Sequence, residues 1–153
     1  MFNIVLVEPE IPANTGNIAR TCAVTGCNLH LIEPLGFSLE DKYLKRAGLD
    51  YWSHLNVFLH PNLKEFLQNV NSKELFLITK QGKQYYTQVK IPRNAYLFFG
   101  KETAGLPVDL LKAYPERSLR IPMFGDVRSL NLSNSVAILV YEAFRQHDFW
   151  GLK

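Results

Sequence analysis

The chain has 153 residues, 47% of them hydrophobic and 20% charged, and its 17 Lys and Arg against 14 Asp and Glu give a net charge of +3. These proportions predict one soluble globular domain over residues 1–153, with a full core and no need for a second unit. A charge this mild tolerates an RNA or phosphate partner without demanding one, since nucleic-acid binding shows in clustered positive charge more than in the total.

Residues 2–7 (FNIVLV) predict a buried strand, which the prolines of Glu8-Pro9-Glu10-Ile11-Pro12 end because neither can stay in a ladder. That apolar run has no basic flank and is too short for a signal peptide or a membrane span, so the cytoplasm is the expected location. A helix is predicted from Asn14-Thr15-Gly16 to a stop at Gly26, with Ile18, Ala19, Cys22 and Ala23 turned inward. Cys22 and Cys27 match no zinc spacing and are expected as small core residues, and His30, His54, His60 and His147 are too scattered for a metal site. Residues 28–33 predict a second strand before the turn Pro34-Leu35-Gly36.

Residues 38–47 suit a basic amphipathic helix carrying Lys42, Lys45 and Arg46, with Tyr51 and Trp52 just beyond it. Cations beside aromatic rings suit RNA, although a solvated helix face accounts for the same charges. Strands are predicted at 55–59, 75–79, 95–99 and 118–121, and helices at 62–70 and from Val108. Last comes a loop rich in Gly, Pro, Ser and Asn (121–135) running into an apolar helix at 136–146, with Ser129, Asn131 and Ser133 as candidate caps. That helix is apolar on all sides and needs cover on more than one face, which a second copy of the chain would supply.

Short apolar strands alternating with helices predict an α/β fold: a mostly parallel sheet flanked by helices, with ligands at the carboxyl ends of its strands. The Asn14 loop and the turns after Phe99 and Ile121 fall at such ends, so three polar turns on one edge make the predicted site. A nucleotide pocket of the usual kinds is excluded, because no G-x-G-x-x-G follows the first strand and no G-x-x-x-x-G-K-[ST] occurs. Ser129, Ser133 and Ser135 likewise lack the G-x-S-x-G setting of a hydrolase nucleophile.

Three separated motifs remain: Asn14-Thr15-Gly16-Asn17-Ile18-Ala19-Arg20, then Phe99-Gly100-Lys101-Glu102-Thr103-Ala104-Gly105-Leu106-Pro107, then residues 121–134 (IPMFGDVRSLNLSN). Together they resemble the motifs of the SPOUT methyltransferases. Lys45-Arg46-Ala47-Gly48-Leu49-Asp50-Tyr51 and the opening Asn3-Ile4-Val5-Leu6 with Glu8-Pro9-Glu10-Ile11-Pro12 are similar, more narrowly, to the small tRNA wobble-nucleotide ribose 2′-O-methyltransferases. The resemblance implies an α/β knot with a C-terminal trefoil and a homodimer. It implies that S-adenosylmethionine is bound and S-adenosylhomocysteine released, without a metal. The implied substrate is the ribose of nucleotide 34 in the anticodon stem-loop of leucine tRNAs.

Carried across by position, the resemblance places Ile78, Gly100, Ile121, Ser129 and Leu130 at the cofactor, with main-chain groups reading its adenine. It places Arg20, Asn14, Glu102, Ser129 and Asn131 at the catalytic site. Arg20 either takes the proton of the ribose hydroxyl or stays charged and stabilises the alkoxide, and Glu102 orients either Arg20 or a loop amide. Ser129 and Asn131 hold the cofactor loop, and Tyr141 sits by the cofactor, across a dimer or in the core. The chain departs from the pattern at Lys101, where relatives often carry Pro, and at Ala104, where they often carry Arg, which leaves Lys101 or Lys83 for a nearby phosphate. Another tRNA or rRNA target, or a non-catalytic RNA-binding dimer, fits the same scaffold.

Overall fold

Every residue of the first strand, β1 (Asn3–Val7), is buried, as befits the middle of a sheet covered on both faces. The computed structural model describes residues 1–40, 54–125 and 129–153. After β1 come α1 (Pro12–Thr25), β2 (Asn28–Ile32), β3 (Val57–His60), α2 (Leu63–Leu67), β4 (Leu75–Ile78), β5 (Gln84–Tyr85), β6 (Tyr96–Phe99), α3 (Val108–Ala113), β7 (Ser118–Arg120) and α4 (Leu132–Arg145). The seven strands lie in the order β3-β2-β1-β6-β4-β7-β5, and every ladder between them is parallel.

Alternation along the strands sorts the core into two layers. Ile4, Leu6, Leu29, Leu31, Leu97 and Phe99 join Ile18 and Cys22 of α1 and Val136, Leu139, Val140 and Ala143 of α4 in one cluster. Val5, Val7, Ile32, Leu75, Leu77 and Phe98 join Phe66 of α2 and Leu110 of α3 in the other. Both cysteines are free and buried, as expected.

Within the second layer's face lies a polar run. Asn3 Oδ1 accepts from Asn28 Nδ2 at 3.0 Å and faces His30 Nε2 at 3.2 Å, while His30 Nδ1 meets His60 Nε2 at 3.0 Å. Because the amide nitrogen of Asn3 donates to the carbonyls of Met1 and Asn94, its oxygen is an acceptor. His30 therefore carries its proton on Nε2 and receives one from His60. Burial, with His60 alongside, pushes the His30 imidazole down to about 4.

The helices depart from expectation at their starts. α1 begins at Pro12, whose fixed φ and missing N–H suit a first helical position, so Asn14, Thr15 and Gly16 fall in its first turn. It ends at Gly26, left-handed at φ 72°, as anticipated. α4 begins at Leu132, so Ser133 lies inside the first turn and Asn131 is the cap, accepting from the Ser133 amide. Nor is α4 buried all round: Val136, Leu139, Val140, Ala143 and Phe144 are covered, but Tyr141 on the opposite side is 48% exposed, which removes it from the core. α2 is shorter than the predicted 62–70, and β5, only two residues long, was too short to leave a pattern. Most of the basic helix expected at 38–47, with Tyr51 and Trp52, lies outside the described residues.

Candidate active site

The carboxyl ends of four neighbouring strands place the predicted motifs side by side. Leu6 of β1 pairs with Phe99 of β6, Phe99 with Ile78 of β4, and Ile78 with Leu119 of β7. The loops that follow these strands thus open on one edge of the sheet. Ile78, Gly100 and Ile121 stand at or just past three adjacent strand ends.

Two glycines let these loops pack on backbone. A Cβ on Gly100 would lie 1.9 Å from the carbonyl carbon of Gly105, and one on Gly82 would lie 2.3 Å from that of Leu119. Glycine at 100 was expected so that a ligand could approach; the neighbour that demands it is the chain's own turn. That turn is closed by Gly105, at φ 72°, donating its N–H to Lys101 O at 2.8 Å. The loop after β4 similarly lies on the backbone of β7 through Gly82.

A chain of hydrogen bonds joins the three motifs. Glu102 Oε2 accepts the N–H of Glu10 at 2.8 Å, and its Oε1 accepts the N–H of Ile11 at 3.2 Å and Asn14 Nδ2 at 3.1 Å. Asn14 Oδ1 accepts from Asn131 Nδ2 at 3.0 Å, and Asn131 Oδ1 accepts the Ser133 N–H at 2.9 Å. The two ends set the direction of the whole relay. A carboxylate only accepts and an amide N–H only donates, so each Asn side chain has one permitted orientation between them.

The same bonds finish the N-terminus of α1. Its flanking residue Ile11 offers no side-chain cap and its first turn holds no acid. Glu102, from a loop more than 90 positions away, supplies the missing carboxylate near the positive end of the helix dipole.

Further side chains lace the first two loops together. Lys101 Nζ lies 2.9 Å from Glu8 Oε2, and the Glu10 carboxylate accepts the Thr103 N–H at 3.0 Å and the Thr103 hydroxyl at 2.8 Å. Thr103 N–H first, then its hydroxyl, holds Glu10 below the usual carboxylate range, and Glu8 raises Lys101. Glu8 itself is left-handed at φ 51°, a costly conformation for a side chain with a Cβ. Both lysines suggested for a phosphate are therefore engaged, Lys101 by Glu8 and Lys83 by Glu116 at 2.7 Å.

Not every predicted residue joins this relay. Glu102 directs its carboxylate to loop amides and Asn14, which decides between its two expected partners. Arg20 is exposed on α1, six residues and ~9 Å of helix rise beyond Asn14. Ser129 and Leu130 are exposed on the approach to α4. At the ends of β4, β5 and β7, a cavity of about 460 Å³ is lined by Lys80, Tyr85, Arg120, Ile121, Pro122, Met123 and Gly125. Of the predicted cofactor residues Ile121 reaches it. Tyr85 was missed because β5 is two residues long and shows no periodicity, and Arg120, inside the strand predicted at 118–121, because no motif marks it as more than a strand residue.

Comparison with known proteins gives this arrangement a family. The model of the SpoU rRNA Methylase family matches residues 1–141. The chain belongs to the SpoU methylase family. A SpoU relative from Saccharophagus degradans, a tRNA (cytidine(34)-2'-O)-methyltransferase, is 51% identical over 154 residues, covering 100% of both chains. A solved structure concerned with 2-OH methylation of C/U34 on tRNA superposes with TM-score 0.92 at 45% identity, covering 97% of each chain. The SpoU methyltransferase AviRb from Streptomyces viridochromogenes, in complex with AdoMet, shares the fold with TM-score 0.85 at 23% identity over 99% of this chain and 58% of its own. Among the described residues no helix is long and apolar enough to cross a membrane.

Proposed function

We propose that this chain transfers a methyl group from S-adenosylmethionine to the ribose 2′-oxygen of nucleotide 34 in tRNA, leucine tRNAs among them, releasing S-adenosylhomocysteine. The observation that carries this reading is the relay Glu102–Asn14–Asn131, which draws together three distant motifs at the strand ends, the third of which also walls a cavity from Ile121 to Met123. The names of the relatives at 51% and 45% identity supply the substrate.

The residues present fit the cofactor. A cavity of about 460 Å³ falls within the ~300–1,000 Å³ of small-molecule sites, and its wall from Ile121 to Met123 offers main-chain groups beside apolar side chains. Ile78, Gly100, Ile121, Ser129 and Leu130 would hold it. When bound, S-adenosylmethionine supplies a methyl group on positively charged sulfur.

The chain's own residues align and stabilise. Holding a ribose oxygen in line contributes up to ~7–11 kcal/mol in favourable cases. Arg20 acts through its positive charge, stabilising the alkoxide while water or an RNA phosphate takes the hydroxyl proton. Asn14, Glu102, Ser129 and Asn131 set the shape of the loops around it.

The same reading includes the trefoil knot and the homodimer. In support of the knot, β7 lies between β4 and β5, with the connecting loop resting on its backbone at Gly82. In support of the dimer, α4 leaves Asn134 and Tyr141 exposed and Ala137 and Ile138 half-buried on one side.

Transfer of labelled methyl to total tRNA, with nuclease mapping, tests the reaction and its position together. Label is expected at nucleotide 34 and should vanish when that nucleotide carries a 2′-deoxyribose. Continued labelling of the deoxy analogue would mean that a base is the acceptor, and cofactor binding without transfer to any RNA would mean a non-catalytic dimer.

A further inference from the structure

Among the described residues one ring stands almost wholly in solvent. Phe124 is 96% exposed, against 62% for Val108, the next most exposed large apolar residue described. Its neighbours Met123 and Gly125 both line the cavity, and Phe124 between them is not part of that lining, so its ring is left to solvent on the same loop. Gly125 is left-handed at φ 65°, and a Cβ there would meet nothing within 4 Å. Glycine is thus required by the backbone and not by crowding: the turn exists to change chain direction directly after Phe124.

The lining of the same cavity holds a second flat surface. Tyr85 and Arg120 are cross-strand partners in β5 and β7, and the Arg120 guanidinium sits 4.6 Å over the Tyr85 ring. Lys80 lines the same cavity. Lys83 and Lys101 have their charge answered by Glu116 and Glu8, and among the described residues Arg120 and Lys80 are the cations that line the cavity.

We propose that Phe124, with the Arg120–Tyr85 stack, is a platform for an unpaired RNA nucleotide beside the one being methylated, its base on the ring and its phosphate against Arg120 and Lys80. This rests on the RNA methylation reading above. Single-stranded RNA is held by stacking on aromatic and guanidinium planes with phosphates on cations, and these residues offer both within one loop and one strand pair. A second copy of a chain of net charge +3 would bring further positive charge to the cations, whereas a phosphate neutralises them.

The test is direct binding of a fluorescent anticodon stem-loop RNA, read by anisotropy, for the parent and for Phe124→Leu, Phe124→Trp and Arg120→Gln, with calorimetry of S-adenosylmethionine on each. Phe124→Leu keeps the apolar bulk but removes the ring, and should weaken RNA binding by about fivefold or more while leaving cofactor affinity unchanged. Phe124→Trp should bind at least as tightly as the parent. Arg120→Gln should lower the slope of log affinity against log salt by roughly one phosphate contact. RNA affinity equal to the parent's in Phe124→Leu overturns the proposal. So does a loss of cofactor affinity in that variant, which would put the ring in the cofactor pocket, or its dissociation in sedimentation, which would put the ring against a second copy. Because binding is read without turnover, a parent that binds RNA but methylates none strikes the function proposed above and leaves this platform standing.

Discussion

Glu102→Gln is the sharpest single perturbation of the relay, because it changes one atom and almost no volume. In the parent, the two carboxylate oxygens face only donors: the Glu10 N–H at 2.8 Å on one, the Ile11 N–H and Asn14 Nδ2 on the other. A glutamine must turn an NH₂ toward one of these sets. The cheaper choice keeps the oxygen on Ile11 and Asn14 and sets donor against donor at Glu10, since the alternative strands the amide of Asn14, which is only 6% exposed. One charge-assisted bond, worth ~1.5–3 kcal/mol, is lost and the other two weaken, so about 2 kcal/mol of stability should go. For a domain of this size that is a fall of roughly 4–8 °C in Tm, read by calorimetry or circular dichroism. Because the orientation of Asn14 passes to Asn131, methyl transfer should fall as well. A Tm within about 1 °C of the parent would show that these bonds contribute nothing net, and the relay would lose its place in the argument.

Other consequences are independent of that one. Gly100→Ala places a methyl 1.9 Å from the Gly105 carbonyl carbon and should cost about 3 kcal/mol in urea unfolding; an unchanged midpoint would mean the turn is not packed as described. The His30 imidazole is held neutral, with its folded value lowered from 6.5 to about 4, so the unfolded chain binds its proton first. Stability from this residue is therefore complete above about pH 6.5 and is lost as pH falls toward 4, by up to roughly 3 kcal/mol. Urea midpoints that stay flat across that window, or that fall equally in His30→Gln, would refute it. Arg20→Ala should cut turnover by about 10²–10³ while calorimetry shows cofactor affinity retained; lost cofactor binding would reverse the assigned role. Tyr141→Glu, on the exposed side of α4, should convert a dimer to a monomer in sedimentation, and a parent already monomeric at micromolar concentration would remove the dimer from the proposal.

The strands and the order of elements were legible along the chain, because a strand buried on both faces has to be an unbroken apolar run, as in β1, β4 and β6. The resemblance of three motifs to those of the SPOUT methyltransferases likewise marked Asn14, Glu102 and Asn131, and loops after parallel strands can open only at one edge of the sheet. What a linear pattern cannot contain is which loop completes which. α1 carries no cap of its own, and its missing acceptor, Glu102, arrives from the loop after β6. Glycine at 100 is required by a turn that returns within five residues, and Tyr85 meets Arg120 only because β7 enters the sheet between β4 and β5. Local sequence therefore determined where the chain extends, coils and turns, through burial and backbone chemistry that each residue carries with it. The tertiary structure alone decided the pairings that make the site, because a hydrogen bond across 88 residues is a property of two loops in space and of neither one by itself.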